Sequence, residues 1–248
     1  MGARVDAFIL AAGHGTRLRP LTDTTPKCLV KVGGTPMLER TARRLTAAGA
    51  GRLVINVCPF AEEIERFVVG RGGFDVEVRF SREAGEPLET GGGLLAARPF
   101  FRQNAPFFIH NADVYTDLDL GSLYGAHGDR SPLVTLAVME RPSSRGLLFD
   151  DRGLVGRAND DADGNVLVRE PDGAVVRFAF ACVHVAAPEL FDLMTERGRF
   201  GIFETYLRLA KEGARILPHR VDGGTWVDIG RPEQLAQANA LAAAEEAR

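Results

Sequence analysis

The first 140 residues alternate uninterrupted apolar runs with segments of helical periodicity. In DAFILAA, residues 6–12, every position after Asp6 is apolar, which predicts a strand buried on both faces. PMLERTARRLTAAGA places Leu38, Ala42 and Leu45 on one face and Arg40, Arg43 and Arg44 elsewhere, predicting a helix that ends near Gly49. RLVINVC, VEVRFS, PFFIHNADV and PLVTLAVME follow as strands. AEEIERFVV is a helix between the first two of these, and GGGLLAARPFF opens another on glycines. This rhythm predicts an α/β fold: a doubly wound, mostly parallel central sheet with helices on both faces. In such sheets ligands sit beyond the carboxyl ends of strands, where the stretches AAGHGTRLRP and NADV fall.

From about residue 145 the pattern changes to short alternating runs separated by Gly and Asp turns such as PDGA, which predicts β-hairpins added to the sheet. APELFDLMTERG and FETYLRLAKEG read as helices, and GTWVDIG as a short strand or loop. RPEQLAQANALAAAEEA reads as a further helix with Pro232 near its start. No repeat or Pro/Gly/Ser-rich linker interrupts the chain, so residues 1–248 are expected to form a single domain, with halves of about 1–140 and 141–248.

Of 248 residues, 45% are hydrophobic and 25% charged, a composition that supports a sizeable core. A net charge of −3 offers no basic field, so no nucleic-acid partner is expected. No run approaches 18 apolar residues and MGARVDAFIL lacks the form of a signal peptide, so no membrane association and a cytoplasmic location are expected. Cys28, Cys58 and Cys182 keep no metal-ligand spacing and read as reduced core thiols. Arginine supplies nearly all the positive charge; of the three lysines, Lys27 and Lys31 fall together in PKCLVK.

The loop after the first strand carries the clearest chemistry. Gly13 and Gly15 let backbone amides approach a ligand closely, and amides in such a turn suit phosphate oxygens. Arg17 adds a guanidinium fork for the same oxygens. The loop is neither a P-loop nor GxGxxG, because Leu18 stands at the third glycine position. Pro26 biases Thr25 away from helix, so PLTDTTPKCLVKV is expected to run extended along the sheet edge and return Lys27 to the loop. Read alone, Lys27 is as well explained as a solvated surface lysine. Asp113 ends an apolar strand, as a ligand-facing carboxylate or as a cap for the next segment. Asp228, beside the single tryptophan Trp226, reads either as a ligand or as a helix cap before Pro232. His110 and His184 lie in apolar strands and read as satisfied core histidines.

The segment ILAAGHGTRLRPLTDTTPKCLVKVGGTPMLE resembles the N-terminal signature of the sugar-1-phosphate nucleotidylyltransferases. EPLETGGGL, FFIHNADVYTDLDL and WVDIGRPEQLAQAN continue the resemblance in order over nearly the whole chain. Within that superfamily, EPLETGGG, the chain length and the lack of a C-terminal β-helix most resemble the N-acetylmuramate-1-phosphate uridylyltransferases of peptidoglycan recycling. The resemblance implies a Rossmann-like nucleotidyltransferase fold and transfer of a nucleotidyl group, from UTP in that subgroup, to a sugar 1-phosphate, with release of pyrophosphate. It implies that the backbone from Leu10, Ala11 and Ala12 through Gly13, Gly15 and Thr16 holds the nucleotide. Arg17 would face the pyrophosphate leaving group, and Lys27 the charge on the α-phosphate. Asp113 and Asp228 would hold Mg²⁺, and Glu86, Thr90 and Gly91 would belong to the base pocket. Asn111, Asn159 and Glu204 are the expected sugar contacts.

The sequence departs from the family where many members carry EKP: GRANDDADGN has no lysine. The ligand of the sugar phosphate is therefore open among Arg157, Asn159 and Arg177. FAFACVHV likewise has Ala181 and Cys182 where the family often has glycine. The expected partners are small-molecule substrates, in a monomer or a homodimer. Guanylyl or thymidylyl transfer to mannose, heptose or glucose 1-phosphate keeps the same chemistry with other substrates. A non-catalytic nucleotide-sugar sensor is disfavoured because Arg17, Lys27, Asp113 and Asp228 are all present. An NAD-type dehydrogenase is disfavoured by the missing third glycine and by Pro59 and Phe60 after RLVINVC, where that fold needs an acidic residue.

Overall fold

Buried strands with both faces covered organise the molecule, which the computed structural model describes over residues 5–160 and 164–246. In chain order, β1 (Val5–Leu10), the short strands β2 (Lys31–Val32) and β3 (Thr35–Pro36), α1 (Met37–Ala47), β4 (Ala50–Val57), α2 (Ala61–Gly70) and β5 (Glu77–Arg82) come first. Then follow α3 (Glu89–Ala97), β6 (Phe107–Asn111), β7 (Val114–Thr116), α4 (Leu120–Arg130) and β8 (Val134–Met139). The second half adds β9 (Arg145–Asp150), β10 (Gly153–Asn159), β11 (Gly164–Leu167) and the long β12 (Val176–Ala186). It ends with α5 (Leu190–Leu193), α6 (Ile202–Lys211), β13 (Ile216–Arg220), β14 (Trp226–Asp228) and α7 (Pro232–Glu246).

Strands β5, β4, β1 and β6 lie side by side in parallel. β12 runs antiparallel to both β6 and β8, and β13 lies parallel to β8. Six of these seven central strands therefore point one way, with β12 alone reversed, as the doubly wound, mostly parallel pattern requires. β9, β10 and β11 form an antiparallel meander attached to the start of β12. Arg169 and Asp150 pin it with two parallel bonds of 2.6 and 2.7 Å.

Alternation along β1 divides the core into two layers. Phe8 joins Leu94, Phe107, Phe191 and Tyr206 under α3, α5 and α6. Ala7 and Ile9 join Leu38, Leu45, Ile64 and Leu123 under α1, α2 and α4. The two periods meet here: strand residues alternate faces, and the helical stripe Leu38, Ala42, Leu45 seals one of them.

Three segments depart from expectation. Residues 120–130, LGSLYGAHGDR, form a helix the pattern did not announce, because Gly121, Gly125 and Gly128 dilute its apolar stripe. Asp119 starts it by accepting the Ser122 amide at 2.9 Å. Conversely, α5 is a single turn. Arg208 takes the Leu193 carbonyl and Arg197 the Met194 carbonyl, and Glu196 is held by Thr205 and Arg208, so the chain peels away toward α6. The segment carrying Lys27 is not extended: Lys27–Leu29 is a 3₁₀ turn closed by Leu29 N–H to the Pro26 carbonyl at 2.8 Å. The turn is needed because Val30 must come back to accept the Met37 amide at 3.0 Å, at the start of α1.

Candidate active site

The carboxyl ends of β1, β4 and β6 open into a cleft of about 380 Å³. Leu10, Ala11, Ala12, Gly13, Gly15, Thr16 and Arg17 line one side. Gly15 is in the left-handed region at φ 66°, and a Cβ there would lie 3.0 Å from both Lys27 Cβ and Thr22 Cγ2. Only glycine lets the loop pack against the lysine stem, and Thr22 fastens it through a 2.8 Å bond to the Gly15 carbonyl. Gly13 differs: nothing lies within 4 Å of its would-be Cβ, so its bareness serves no packing contact.

Lys27 crosses the floor of the cleft. Its ammonium donates to Asp113 and stands 3.8 Å from Asp228 Oδ1. The two carboxylates meet because β7 and β14 pair antiparallel with Val114 opposite Asp228, and the Ile229 amide donates to the Asp113 carbonyl at 3.0 Å. Asp228 also accepts the Gly230 amide at 2.7 Å. A Cβ on Gly230 would lie 2.8 Å from both Arg17 Nη2 and Asp228 Oδ1, so a bare residue lets the Arg17 guanidinium come close. Arg17 is exposed and makes no ion pair among the described residues.

The opposite wall comes from the loop before α3 and from the 198–202 segment. Pro87, Glu89, Thr90 and Arg199 line it, with Glu89 and Arg199 paired at 3.1 Å. Thr90 accepts the Ile202 amide at 2.9 Å, and the Phe200 carbonyl accepts the Gly91 and Gly92 amides. His14 and Glu86 face one another at 3.2 Å at the exposed rim. Asn56, at the end of β4, lines the cleft and accepts the Ala11 amide at 2.7 Å.

Leu10, Ala11, Ala12, Gly13, Gly15, Thr16, Arg17, Lys27, Thr90, Asn111 and Asp113 thus share one cleft, with Asp228 beside Lys27 and Glu86 on the rim. Gly91 is in the wall rather than on its surface: a Cβ there would strike the Phe200 ring at 2.3 Å. Glu204 is exposed and caps α6 by accepting the Gly201 amide at 2.9 Å. Asn159 ends β10 in the distal meander, and its side chain lies outside the described residues, as do residues 161–163 of the GRANDDADGN stretch. Arg157 is exposed on the same strand, and Arg177 is held by Asp160 and the Ser143 carbonyl beside a second cleft. Asn56 and Arg199 are lining residues outside the segments singled out for chemistry in the sequence, and His14 and Glu89 lie within those segments without a side-chain role assigned there. No single-residue signal marks them; only the LETGGG and GRFG segments hint that two loops must nest.

Burial shapes the titrating groups around this floor. Desolvation pushes the Cys182 thiol up to about 12, helped by Asp113 and Asp228 and opposed by Arg141 and Lys27, so it stays protonated. Cys182 sits at a bulge in β12 with φ 61°, in the left-handed region that glycine adopts most readily. Desolvation lowers His110 to about 4, although its Nδ1–H donates to the Asn111 carbonyl at 2.7 Å. His184, lowered to about 3 by desolvation, has no hydrogen-bond partner on either ring nitrogen among the described residues. It is a buried but unsatisfied histidine.

The profile of the nucleotidyl transferase family matches residues 6–245. An N-acetylmuramate alpha-1-phosphate uridylyltransferase from Neisseria meningitidis serogroup B is 32% identical, over 96% of this chain and 98% of that relative. A mannose-1-phosphate guanyltransferase from Saccharomyces cerevisiae is also 32% identical over 94% of this chain, which spans 63% of that relative's length. Among solved structures, the inositol-1-phosphate CTP transferase from T. maritima superposes with a TM-score of 0.78 at 18% identity, covering 98% of this chain and 96% of that one. A UDP-glucose pyrophosphorylase complexed with UDP-glucose superposes with the same TM-score and identity, over 98% and 99%. These likenesses show a shared Rossmann-like fold.

Proposed function

The chain belongs to the nucleotidyl transferase family, and from that premise we propose that it transfers a uridylyl group from UTP to N-acetylmuramate 1-phosphate, releasing pyrophosphate. Its class, a sugar-1-phosphate nucleotidylyltransferase, follows from the family match and its relatives. The observation that carries the site is the convergence of the 10–16 loop, Arg17, Lys27, Asp113 and Asp228 on one cleft. Support for uridylyl transfer comes from the match along 98% of a uridylyltransferase.

In this reading the acceptor's phosphate oxygen attacks the α-phosphorus of the triphosphate. Such transfers need positioning and charge neutralisation more than covalent help. The amides of residues 12–16 receive the triphosphate, the Ala11 amide being taken up by Asn56. Arg17, exposed and without an ion pair among the described residues, neutralises the departing pyrophosphate. Lys27 turns its ammonium from the carboxylates to the α-phosphate as negative charge grows there.

Asp113 and Asp228 fit a hard cation: two carboxylates converge from paired strands, with one side open to the cleft for phosphate oxygens. Among the described residues no third acidic, His or Cys group joins them, so water and substrate oxygens would complete the coordination. Mg²⁺, when bound, supplies further charge neutralisation on those oxygens.

Pyrophosphate release tests this over a grid of UTP, GTP, dTTP, CTP and ATP against several sugar 1-phosphates, with and without chelator. The expected result is a strong chelator-sensitive signal for UTP with N-acetylmuramate 1-phosphate. A signal confined to GTP with mannose 1-phosphate would replace both substrates. Silence throughout, with nucleotide binding intact, would point to a sugar outside the grid or to a sensor.

A further inference from the structure

Two residues with no place in the chemistry above form a continuous hydrogen-bond chain beneath the cleft. The Ala11 amide donates to Asn56 Oδ1 at 2.7 Å, and Asn56 Nδ2 donates to Glu83 Oε1 at 2.7 Å. The Leu88 amide donates to Glu83 Oε2, also at 2.7 Å. Both side chains are buried, at 2% and 8% exposure. The chain therefore runs from one lining loop, Ala11–Ala12, to the loop whose Pro87 lines the other wall. The fold leaves room for it: a Cβ on Gly93 would lie 2.6 Å from Glu83 Oε1 and 2.8 Å from Asn56 Nδ2.

The polarity of this chain is fixed. Ala11 and Leu88 present N–H groups, so both ends need acceptors, and the Ala11 amide turns the Asn56 oxygen toward itself. Glu83 consequently receives a donor on each oxygen, which a carboxylate satisfies and an amide cannot. A buried carboxylate whose donors among the described residues are neutral is a costly choice for stability alone.

We infer that Asn56 and Glu83 are positioning residues that set the separation of the two walls receiving the nucleotide, one at the triphosphate loop and one at the base pocket, and so tune which nucleoside triphosphate fits. The inference rests on the nucleotide reading of the cleft. Neither side chain needs to touch substrate for it to hold.

The polarity supplies a stringent test. Glu83→Gln points an amide donor at one of two donors, and Asn56→Asp sets two carboxylates face to face. The double variant Asn56→Asp/Glu83→Gln restores every bond: the introduced carboxylate would accept from Ala11 and from the introduced amide, whose own oxygen accepts from Leu88. The measurements are calorimetric affinity for UTP and for GTP without acceptor, and thermal melting of each protein. Each single variant is expected to weaken UTP binding at least about tenfold and to shift the UTP-to-GTP affinity ratio, with the double returning both to within about threefold of wild type. Should a single variant not fold, Glu83→Asp keeps both acceptors on a shorter arm and must still shift the ratio.

Variants that melt lower but keep the wild-type ratio would overturn the inference in favour of a purely structural pair. A double variant no better than the worse single would also overturn it. Wild-type protein that binds no nucleoside triphosphate would instead overturn the nucleotide reading itself, and the inference with it.

Discussion

Lys27 is the residue through which the site communicates. It touches Asp113, approaches Asp228, and its stem is the surface against which Gly15 packs. Lys27→Ala is expected to lower kcat at least about 100-fold, because one charge brought to bear on the transition state in such a site is worth roughly 3 kcal/mol. A circular-dichroism spectrum and melt like wild type would show that the loss is chemical, and an unchanged kcat would remove Lys27 from the machinery. The two loop glycines separate packing from binding. Gly15→Ala forces a left-handed alanine into Lys27 and Thr22, at a cost of about 1–3 kcal/mol, and is expected to lower both Tm and UTP affinity. Gly13→Ala meets nothing, so its Tm should stay within about 1 °C while UTP affinity falls. Equal losses of Tm in the two variants would contradict this division.

At the scale of elements, the opening of α3 is where two loops nest. Its three glycines each accommodate a different neighbour: the Phe200 ring, the Gly198 carbonyl, and the Asn56–Glu83 pair. Gly92→Ala would place a Cβ 2.3 Å from the Gly198 carbonyl oxygen, which is backbone and cannot swing away. Overpacking of this kind costs about 1–3 kcal/mol, so a melting scan should show Tm lower by several degrees. An unchanged Tm would mean the 198–202 segment adapts. This nesting also explains what was legible in the sequence and what was not. β1, β4, α1 and α2 declare themselves because their apolar periods match their burial on the two faces of the sheet. α4 hides behind three glycines, and α5 is cut short by side chains from α6 that no local pattern encodes. Of the site, Gly15, Arg17, Lys27 and Asp113 stand in motifs. Asn56 and Glu83 meet only when β4 and β5 lie side by side, so their link is a property of topology.

The whole molecule carries buried imidazoles whose protonation opposes folding. Desolvation holds His110 and His127 near 4 and His184 near 3 in the folded state, against about 6.5 when unfolded. Below pH 6.5 the unfolded chain binds protons that the folded one refuses. The stability these rings contribute is thus complete above about pH 6.5 and is lost as pH falls toward their folded values. For His184 alone the loss reaches about 2 kcal/mol by pH 5. Denaturant midpoints should fall between pH 6.5 and 5, and the fall should be shallower in His184→Leu, which also removes two unpaired buried nitrogens. Identical slopes would show that the ring takes up its proton without cost. Among the described residues no helix is long and apolar enough to cross a membrane.

The central claim, that the cleft joins a nucleotide to a sugar 1-phosphate, is tested most directly by following phosphorus NMR of the wild-type protein with UTP, N-acetylmuramate 1-phosphate and Mg²⁺. The account predicts that the sugar-phosphate and triphosphate signals decay together into the coupled pair of a diphosphate diester and the single line of pyrophosphate. Decay of the triphosphate to diphosphate and inorganic phosphate, with the sugar phosphate untouched, would contradict it.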